Sequence, residues 1–504
     1  MEQLQNLQQV LQWLRDRTGT QASLRIDSRH IQPGDVFIAW PGAAHDGRQF
    51  IASALERGAS ACLMEAEGSD AFATPDPRVA TLRGLKAMTG LLANAWYAQP
   101  SHELDVVAIT GTNGKTSTSW WLAQALSSPA LSHPTPCAVV GTLGVGIPPL
   151  VQSTGLTTPD PVLLHQQLRQ FVQQGVRACA MEASSIGIEE HRLDGVNIRV
   201  AVFTNFTQDH LDYHGDMDSY WQAKAKLFAW PGLQAAVLNA DASETTGLQA
   251  SLRGGIEAWT YGIHNPARLQ ATHIHYDTNG MGFDVCEGAQ VATLKTNAIG
   301  QFNVSNLLAV VTTLRALGHG LAESVKACEA LLSVPGRLQC VENVESSTNE
   351  SAPLVCVDYA HTPDALEKAL LALRPVAQAR GGQLWCMFGC GGDRDATKRP
   401  LMAAMAERHA DRVMVTSDNP RSEDPRLIIS QILFGFADSA KIEVDVDRHS
   451  AIASVIEQAG MPDVVLLAGK GHEDYQEVAG VRTHFSDVEE AGKALASWRM
   501  GATA

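Results

Sequence analysis

The residues best suited to chemistry in this sequence begin with Gly111-Thr112-Asn113-Gly114-Lys115-Thr116-Ser117. The segment falls between an apolar run and a helical pattern, where backbone N–H groups and a helix dipole converge on phosphate oxygens. Lys115 would reach terminal phosphates and Thr116 would hold magnesium. The loop departs from G-x-x-x-x-G-K-[ST], because Ile109 stands where the first glycine belongs. A chance Gly-Lys-Thr turn is the competing reading, and the strand before the loop and the helix after it argue against that.

A second cluster is acidic and histidine-bearing. Glu182 ends one apolar run, and Asp209, His210, Asp212 and His214 follow the next. Both could reach the carboxyl edge of one sheet, where α/β proteins bind nucleotides. Carboxylate plus imidazole can hold magnesium or manganese, but alone these side chains read first as surface-loop residues. A third cluster comprises Gly389–Asp395 (GCGGDRD), Asp418–Arg421 (DNPR) and Gly469–Glu473 (GKGHE). Its arginines offer planar forks for carboxylates, and Glu473 offers an acceptor for an ammonium, which together suit an amino acid with several charged ends. Taken singly, each of these motifs reads as a turn as readily as a site.

The elements that must position these residues follow from periodicity. Leu104–Thr110, Val176–Glu182, Val200–Asn205 and Ala235–Asn239 are short apolar runs separated by helix-length segments, including Lys115–Leu126. This pattern predicts a mostly parallel sheet. Leu354–Asp358, Leu384–Phe388, Arg412–Thr416 and Val464–Gly469 repeat it after a break at Val334-Pro335-Gly336-Arg337. Ahead of both, the first hundred residues mix short helical and strand patterns. They open with helical spacing at Leu4, Leu7, Val10, Leu11 and Leu14, and close with a helical stretch from Leu82 to Tyr97 and a loop at Gln99-Pro100-Ser101. Residues 341–353 are polar and read as a surface loop.

With 504 residues the chain has room for about three domains. Its 45% apolar and 18% charged residues are ordinary for globular cores, and a net charge of −16 without a basic run argues against a nucleic-acid partner. Nine cysteines without a C-x-x-C pair suggest neither zinc nor a disulfide framework, so a reducing compartment is expected. Nothing approaches a signal peptide or the roughly 20 apolar residues that span a bilayer. The expectation is a soluble, cytoplasmic protein without membrane insertion.

Taken in order, these clusters resemble the Mur ligases, the amide-forming enzymes of bacterial peptidoglycan precursor synthesis, over essentially the whole chain. Besides GTNGKTS, the matching segments are DSR (Asp27–Arg29), GDVFIAWPG, Asp46-Gly47, MEASS, TNFTQDHLDYHG, GQFNVSN, PGR and VDYAHTPD. The resemblance implies an α/β chain of three domains. Residues 1–102 would bind UDP, residues 103–336 would form a mostly parallel-sheet ATPase-like domain, and residues 337–504 would form a Rossmann-like domain for an amino acid.

The resemblance also implies site residues. Ser28 and His45 would lie near the uridine diphosphate, and Thr157, Thr158, Ser184, Glu190 and Arg192 on the muramoyl dipeptide of UDP-MurNAc-L-Ala-D-Glu. Glu182 and His210 would be Mg2+ ligands with Thr116. Lys224 matches a carbamylated lysine (N6-carboxylysine) that holds a second Mg2+, although a helical lysine is ordinarily solvated. Asn303, Asn306, Arg337 and Asp358 would surround ATP. The DNPR segment resembles the diaminopimelate-adding branch rather than the lysine-adding one, which assigns Arg394, Asp418, Asn419, Pro420, Arg421, Gly469 and Glu473 to meso-2,6-diaminopimelate. Three residues depart from the pattern: Ile186 replaces a common His, Glu190 a common Gln, and Gln339 an acidic residue.

The implied reaction is ATP-dependent amide formation through an acyl phosphate, in a monomer. Folylpolyglutamate synthase is an alternative within the superfamily, and a nucleotide-binding regulator without turnover is one outside it. Intact Lys115, Glu182, His210 and Lys224 weigh against the regulator.

Overall fold

The computed structural model describes residues 1–19, 22–42, 45–277, 280–341, 352–438 and 442–501. Most of the polar stretch at 341–353 therefore lies outside the described residues. The chain forms two compact units, residues 1–261 with 312–319 and residues 262–311 with 320–504.

The first unit holds two sheets. Strands β1 (Glu2–Leu4), β2 (Leu24–Arg25), β3 (Val36–Ala39), β4 (Ala61–Glu65) and β5 (Val79–Leu82) pair in parallel in the order β1-β5-β4-β3-β2. Here the structure corrects two expectations. Leu4 and Leu82, both assigned by periodicity to helices, are strand residues paired with each other. The helices begin later, at Leu7–Arg15 and Leu85–Trp96. Helical spacing reads apolar faces, and it cannot see that a terminal strand completes its hydrogen bonds on a distant partner.

The larger sheet contains β6 (Asp105–Thr110), β7 (Cys137–Gly141), β8 (Gly144–Ile147), β9 (Leu150–Gln152), β10 (Ala178–Glu182), β11 (Val200–Phe203), β12 (Ala235–Asn239) and β13 (Glu257–Gly262). Within it the order β13-β12-β11-β6-β10-β7 is parallel, and β8 and β9 extend it antiparallel. Val106 to Ile109 are completely buried, as expected of a strand covered on both faces. The strand order reverses at β6, so the crevice beyond its carboxyl end is the topological switch point.

In the second unit β14 (Leu269–Tyr276), β15 (Met281–Glu287) and β16 (Gln290–Thr296) form an antiparallel meander. A six-stranded sheet follows, with β17 (Gln339–Cys340), β18 (Leu354–Asp358), β19 (Leu384–Phe388), β20 (Arg412–Val415), β21 (Glu443–Val444) and β22 (Val464–Ala468) in the order β17-β18-β22-β19-β20-β21. Only β17 runs antiparallel. The motif loops leave the carboxyl ends of the neighbouring strands β20, β19 and β22. No helix among the described residues is long and apolar enough to cross a membrane.

Candidate active site

The first cluster is assembled at the end of β6. Gly111 takes φ +143°, and a Cβ there would lie 1.9 Å from Thr204 Oγ1, so only glycine fits. Gly114, at φ +84°, caps the helix Lys115–Leu126 without a side-chain hydrogen bond to its first turn. The loop is laced to the segment after β11. Asn113 N donates to Asn205 Oδ1 at 2.9 Å, Thr204 Oγ1 donates to Asn113 O at 2.6 Å, and Thr207 N donates to Thr112 Oγ1 at 3.0 Å. Lys115 curls back, its ammonium donating to Gly111 O at 2.9 Å and Thr112 O at 2.8 Å.

Glu182, 1% exposed, ends β10 beside this loop. Thr116 Oγ1 donates to its Oε2 at 3.1 Å, and Thr142 donates through N at 2.8 Å and Oγ1 at 3.3 Å. Gly141 makes room for it, since a Cβ there would meet Glu182 Oε1 at 2.3 Å. Sequence reasoning passed over Gly141 and Thr142; the apolar run Cys137–Gly141 ending in Gly-Thr was the available signal.

Lys224 is 1% exposed and not solvated. Its Nζ donates to Gly111 O at 2.8 Å and lies 4.3 Å from the Tyr220 ring centre. Tyr220, also passed over, shares a hydrogen bond with Thr112 Oγ1 at 3.2 Å. Burial, reinforced by the charge of Lys115, lowers the Lys224 pKa from 10.5 to about 6. Burial therefore favours the neutral amine, the form that adds carbon dioxide. His210, at the left-handed φ of +51°, has Asp209 at 3.6 Å and its ring edge-on to Tyr220 with 6.0 Å between ring centres. Among the described residues no hydrogen bond or ion pair joins it to Glu182, and no three His, Cys, Asp or Glu side chains gather as a metal site. His214 instead contacts Ser185 Oγ at 3.0 Å.

The residues assigned to the dipeptide form one patch. Thr158 Oγ1 donates to Glu182 O at 2.8 Å and lies 3.0 Å from Ser184 Oγ. Arg192 donates to Thr158 O at 3.0 Å, and Thr157 meets Thr142 at 3.0 Å. Glu190 is held between Lys86 and Tyr213. Ile186 is half-buried in the short helix Ser185–Glu189. In the N-terminal sheet, Ser28 is buried after β2 and His45 is exposed after β3, at the carboxyl edge of adjoining strands.

In the second unit, Asn419 Nδ2 donates to Glu473 Oε2 at 2.7 Å, and its Oδ1 accepts from Lys470 at 3.2 Å and Glu477 N at 2.9 Å. Lys470, fully buried and missed although GKGHE was recognised, lies 3.3 Å from Glu473. The sequence reading made Glu473 an acceptor for a substrate ammonium; the structure already gives it a lysine. Burial nevertheless raises its pKa, with Asp418 adding to the effect. A Cβ on Gly469 would meet Asp418 Oδ2 at 2.5 Å. Arg421 holds a left-handed φ of +50°, its guanidinium donating to Gly392 O at 2.8 Å. Pro420 O lies where a Cβ on Gly392 would fall, and the exposed Arg394 donates to Asp393 O at 3.3 Å.

Arg337 lies 5.2 Å from the Tyr359 ring centre, and Asp358 accepts from Leu338 N at 2.7 Å. Burial pushes the Asp358 carboxyl up to about 6 although Arg337 opposes it. Gln339 Oε1 accepts from Gly336 N at 2.9 Å, so the departure after PGR closes its own turn. Asn306 donates to Asn303 Oδ1 at 3.0 Å, and Asn303 to Ile299 O at 2.8 Å.

A glycine loop opening a helix at a switch point, with a buried carboxylate beside it, defines a phosphate-loop α/β protein. Residues 22–95 match the Mur ligase family catalytic domain, residues 109–314 the Mur ligase middle domain, and residues 336–471 the Mur ligase glutamate ligase domain. The chain belongs to the Mur ligase family. It is 56% identical over 501 residues, 98% of each chain, to the UDP-N-acetylmuramoyl-L-alanyl-D-glutamate--2,6-diaminopimelate ligase of Acidovorax sp.. The enzyme of the same name from Ralstonia nicotianae is 46% identical over 97% of this chain and 96% of its own. A solved structure of a ligase with that name is 35% identical, with a TM-score of 0.68 over 95% of both chains.

Proposed function

We infer that this chain is an ADP-forming ligase that joins meso-2,6-diaminopimelate to UDP-MurNAc-L-Ala-D-Glu, a step of peptidoglycan precursor synthesis in the bacterial cytoplasm. The observation carrying this reading is the convergence of Lys115 and Lys224 on the Gly111 carbonyl beside buried Glu182, in a chain matching diaminopimelate ligases end to end. Residues 1–102, 103–336 and 337–504 are proposed as its UDP, ATP and amino-acid domains, acting in a monomer.

The donor set fits nucleotide phosphates with Mg2+. The Gly111–Ser117 loop offers backbone N–H groups, and Thr116, Glu182, His210 and Lys224, once carbamylated, would supply hard oxygen and imidazole ligands. Bound Mg2+ supplies charge neutralisation at the phosphates. Lys115 exchanges its carbonyl contacts for phosphate oxygens and offsets the charge that develops as the D-glutamate γ-carboxylate takes the terminal phosphoryl group from ATP. The resulting acyl phosphate is attacked by the diaminopimelate amine, and phosphate leaves. Thr157, Thr158, Ser184, Glu190 and Arg192 hold the dipeptide, Asn303, Asn306, Arg337 and Asp358 attend ATP, and Ser28 and His45 attend the uridine diphosphate. Arg421 and Arg394 take the distal carboxylate of diaminopimelate, with Asp418, Asn419, Pro420, Gly469 and Glu473 around it.

The test is ADP release with UDP-MurNAc-L-Ala-D-Glu and each candidate amino acid, omitting one component at a time. Release is expected only with ATP, Mg2+, the dipeptide nucleotide and diaminopimelate together. Lys115→Ala should abolish it, because removing such a charge costs on the order of several kcal/mol in a water-excluded site. Turnover independent of the dipeptide nucleotide would refute the reading.

A further inference from the structure

Glu190 occupies an unexpected position for an anion. It lies in the patch with Thr158, Ser184 and Arg192 that we assign to a substrate carrying a diphosphate and carboxylates. Two side chains meet on its carboxylate, and its backbone ends a helix. Lys86 Nζ lies 2.6 Å from Oε2, Tyr213 Oη donates to Oε1 at 2.7 Å, and the backbone of Glu190 closes the helix Ser185–Glu189. The adjacent Glu189 has its own partner, Lys226 at 2.6 Å, so Lys86 serves Glu190.

Lys86 is not a loosely held surface lysine. It sits in the first turn of the helix Leu85–Trp96, and that helix packs backbone against backbone on the segment following Glu190. A Cβ on Gly90 would meet Asp194 O at 2.4 Å, and one on Gly195 would meet Gly90 O at 2.9 Å. This close approach fixes the lysine's helix against the loop that carries Glu190 and Arg192.

We propose that Lys86 is a positioning residue for the dipeptide nucleotide. By neutralising Glu190 it leaves the charge of Arg192 free to act on the anionic substrate, and it holds the Glu190 carboxylate so that one oxygen remains on Tyr213, three residues beyond His210. Without Lys86, the Glu190 carboxylate would oppose both Arg192 and the incoming anion. The proposal rests on the assignment of this patch to the dipeptide nucleotide.

The test is steady-state kinetics of the full chain, with each substrate varied separately. Lys86→Met is expected to raise the KM for UDP-MurNAc-L-Ala-D-Glu by about fivefold, the effect of roughly one partly solvent-screened charge contact, while kcat and the KM for ATP stay within about twofold. Lys86→Arg should retain the wild-type KM. Adding Glu190→Gln to Lys86→Met should bring the KM to that of Glu190→Gln alone, because no charge is then left to neutralise. A Lys86→Met enzyme with unchanged KM overturns the proposal. So does a double variant as poor as Lys86→Met, which would make the contact a mechanical tie. A wild-type chain that does not turn over the dipeptide nucleotide would instead refute the underlying assignment.

Discussion

Replacing Lys224 by Met should make the protein inactive and, at neutral pH, more stable. The amine is buried and its pKa falls from 10.5 to about 6. The unfolded chain therefore binds a proton that the folded chain lacks throughout the window from about 6 to 10.5, and stability rises with pH across it. At pH 7 the deficit relative to an unperturbed lysine is on the order of a few kcal/mol. Met fills the same space without that cost. It forfeits the bond to Gly111 O, worth about 1 kcal/mol net, but that carbonyl still accepts from Lys115. The gain should be about 1–2 kcal/mol at pH 7 and should vanish near pH 10. The assay compares thermal midpoints of wild type and Lys224→Met at several pH values in carbon-dioxide-free buffer, at one scan rate, since a chain with several cores does not melt in one step. A gain of this size corresponds to a few degrees. Bicarbonate should then stabilise wild type alone, because a carbamate that forms only on the folded amine acts as a ligand of the native state. Parallel pH dependences in the two proteins, or a variant less stable at pH 7, would refute a neutral buried amine.

Other outcomes follow from the same geometry. Glu182→Ala and His210→Ala should each raise the Mg2+ concentration needed for half-maximal activity, and unchanged magnesium titrations would remove both from the metal site. Gly141→Ala should cut activity at least tenfold while circular dichroism stays native, because its Cβ would press on the Glu182 carboxylate at 2.3 Å; full activity would show that this carboxylate can move without consequence. Lysine should be a very poor substrate, since sites built around a charged partner reject the analogue lacking it by roughly 10⁴-fold. Arg421→Ala should lose diaminopimelate activity without acquiring lysine activity, and equal use of both amino acids by wild type would overturn the specificity assigned to Arg421.

Much of the scaffold was legible because parallel strands covered on both faces are written as continuous apolar runs. Ala235–Asn239, Leu354–Asp358 and Leu384–Phe388 are bounded in the structure as in the sequence, and Lys115–Leu126 is the expected helix. The loops at their carboxyl ends were legible too, because glycines at fixed offsets record backbone positions that no side chain can take, as at Gly111 and Gly469. Less legible was whatever depends on a partner far away in the chain. Leu4 and Leu82 carry helical spacing but pair as strands, and β8 and β9 are short, partly exposed strands with no apolar run to announce them.

By itself, then, the sequence determined the class of fold, the order of the motif loops and the family, all of which are encoded locally in residue type and spacing. Only the tertiary structure decided the state of individual side chains. Lys224 reads as an ordinary helical lysine until β6 and its loop bury it, and Glu190 reads as an uncompensated substitution until Lys86, over a hundred residues earlier, is found against it. The physical reason is that charge state and hydrogen-bond partners depend on distance and on exclusion of water, and those arise only when segments remote in sequence pack together.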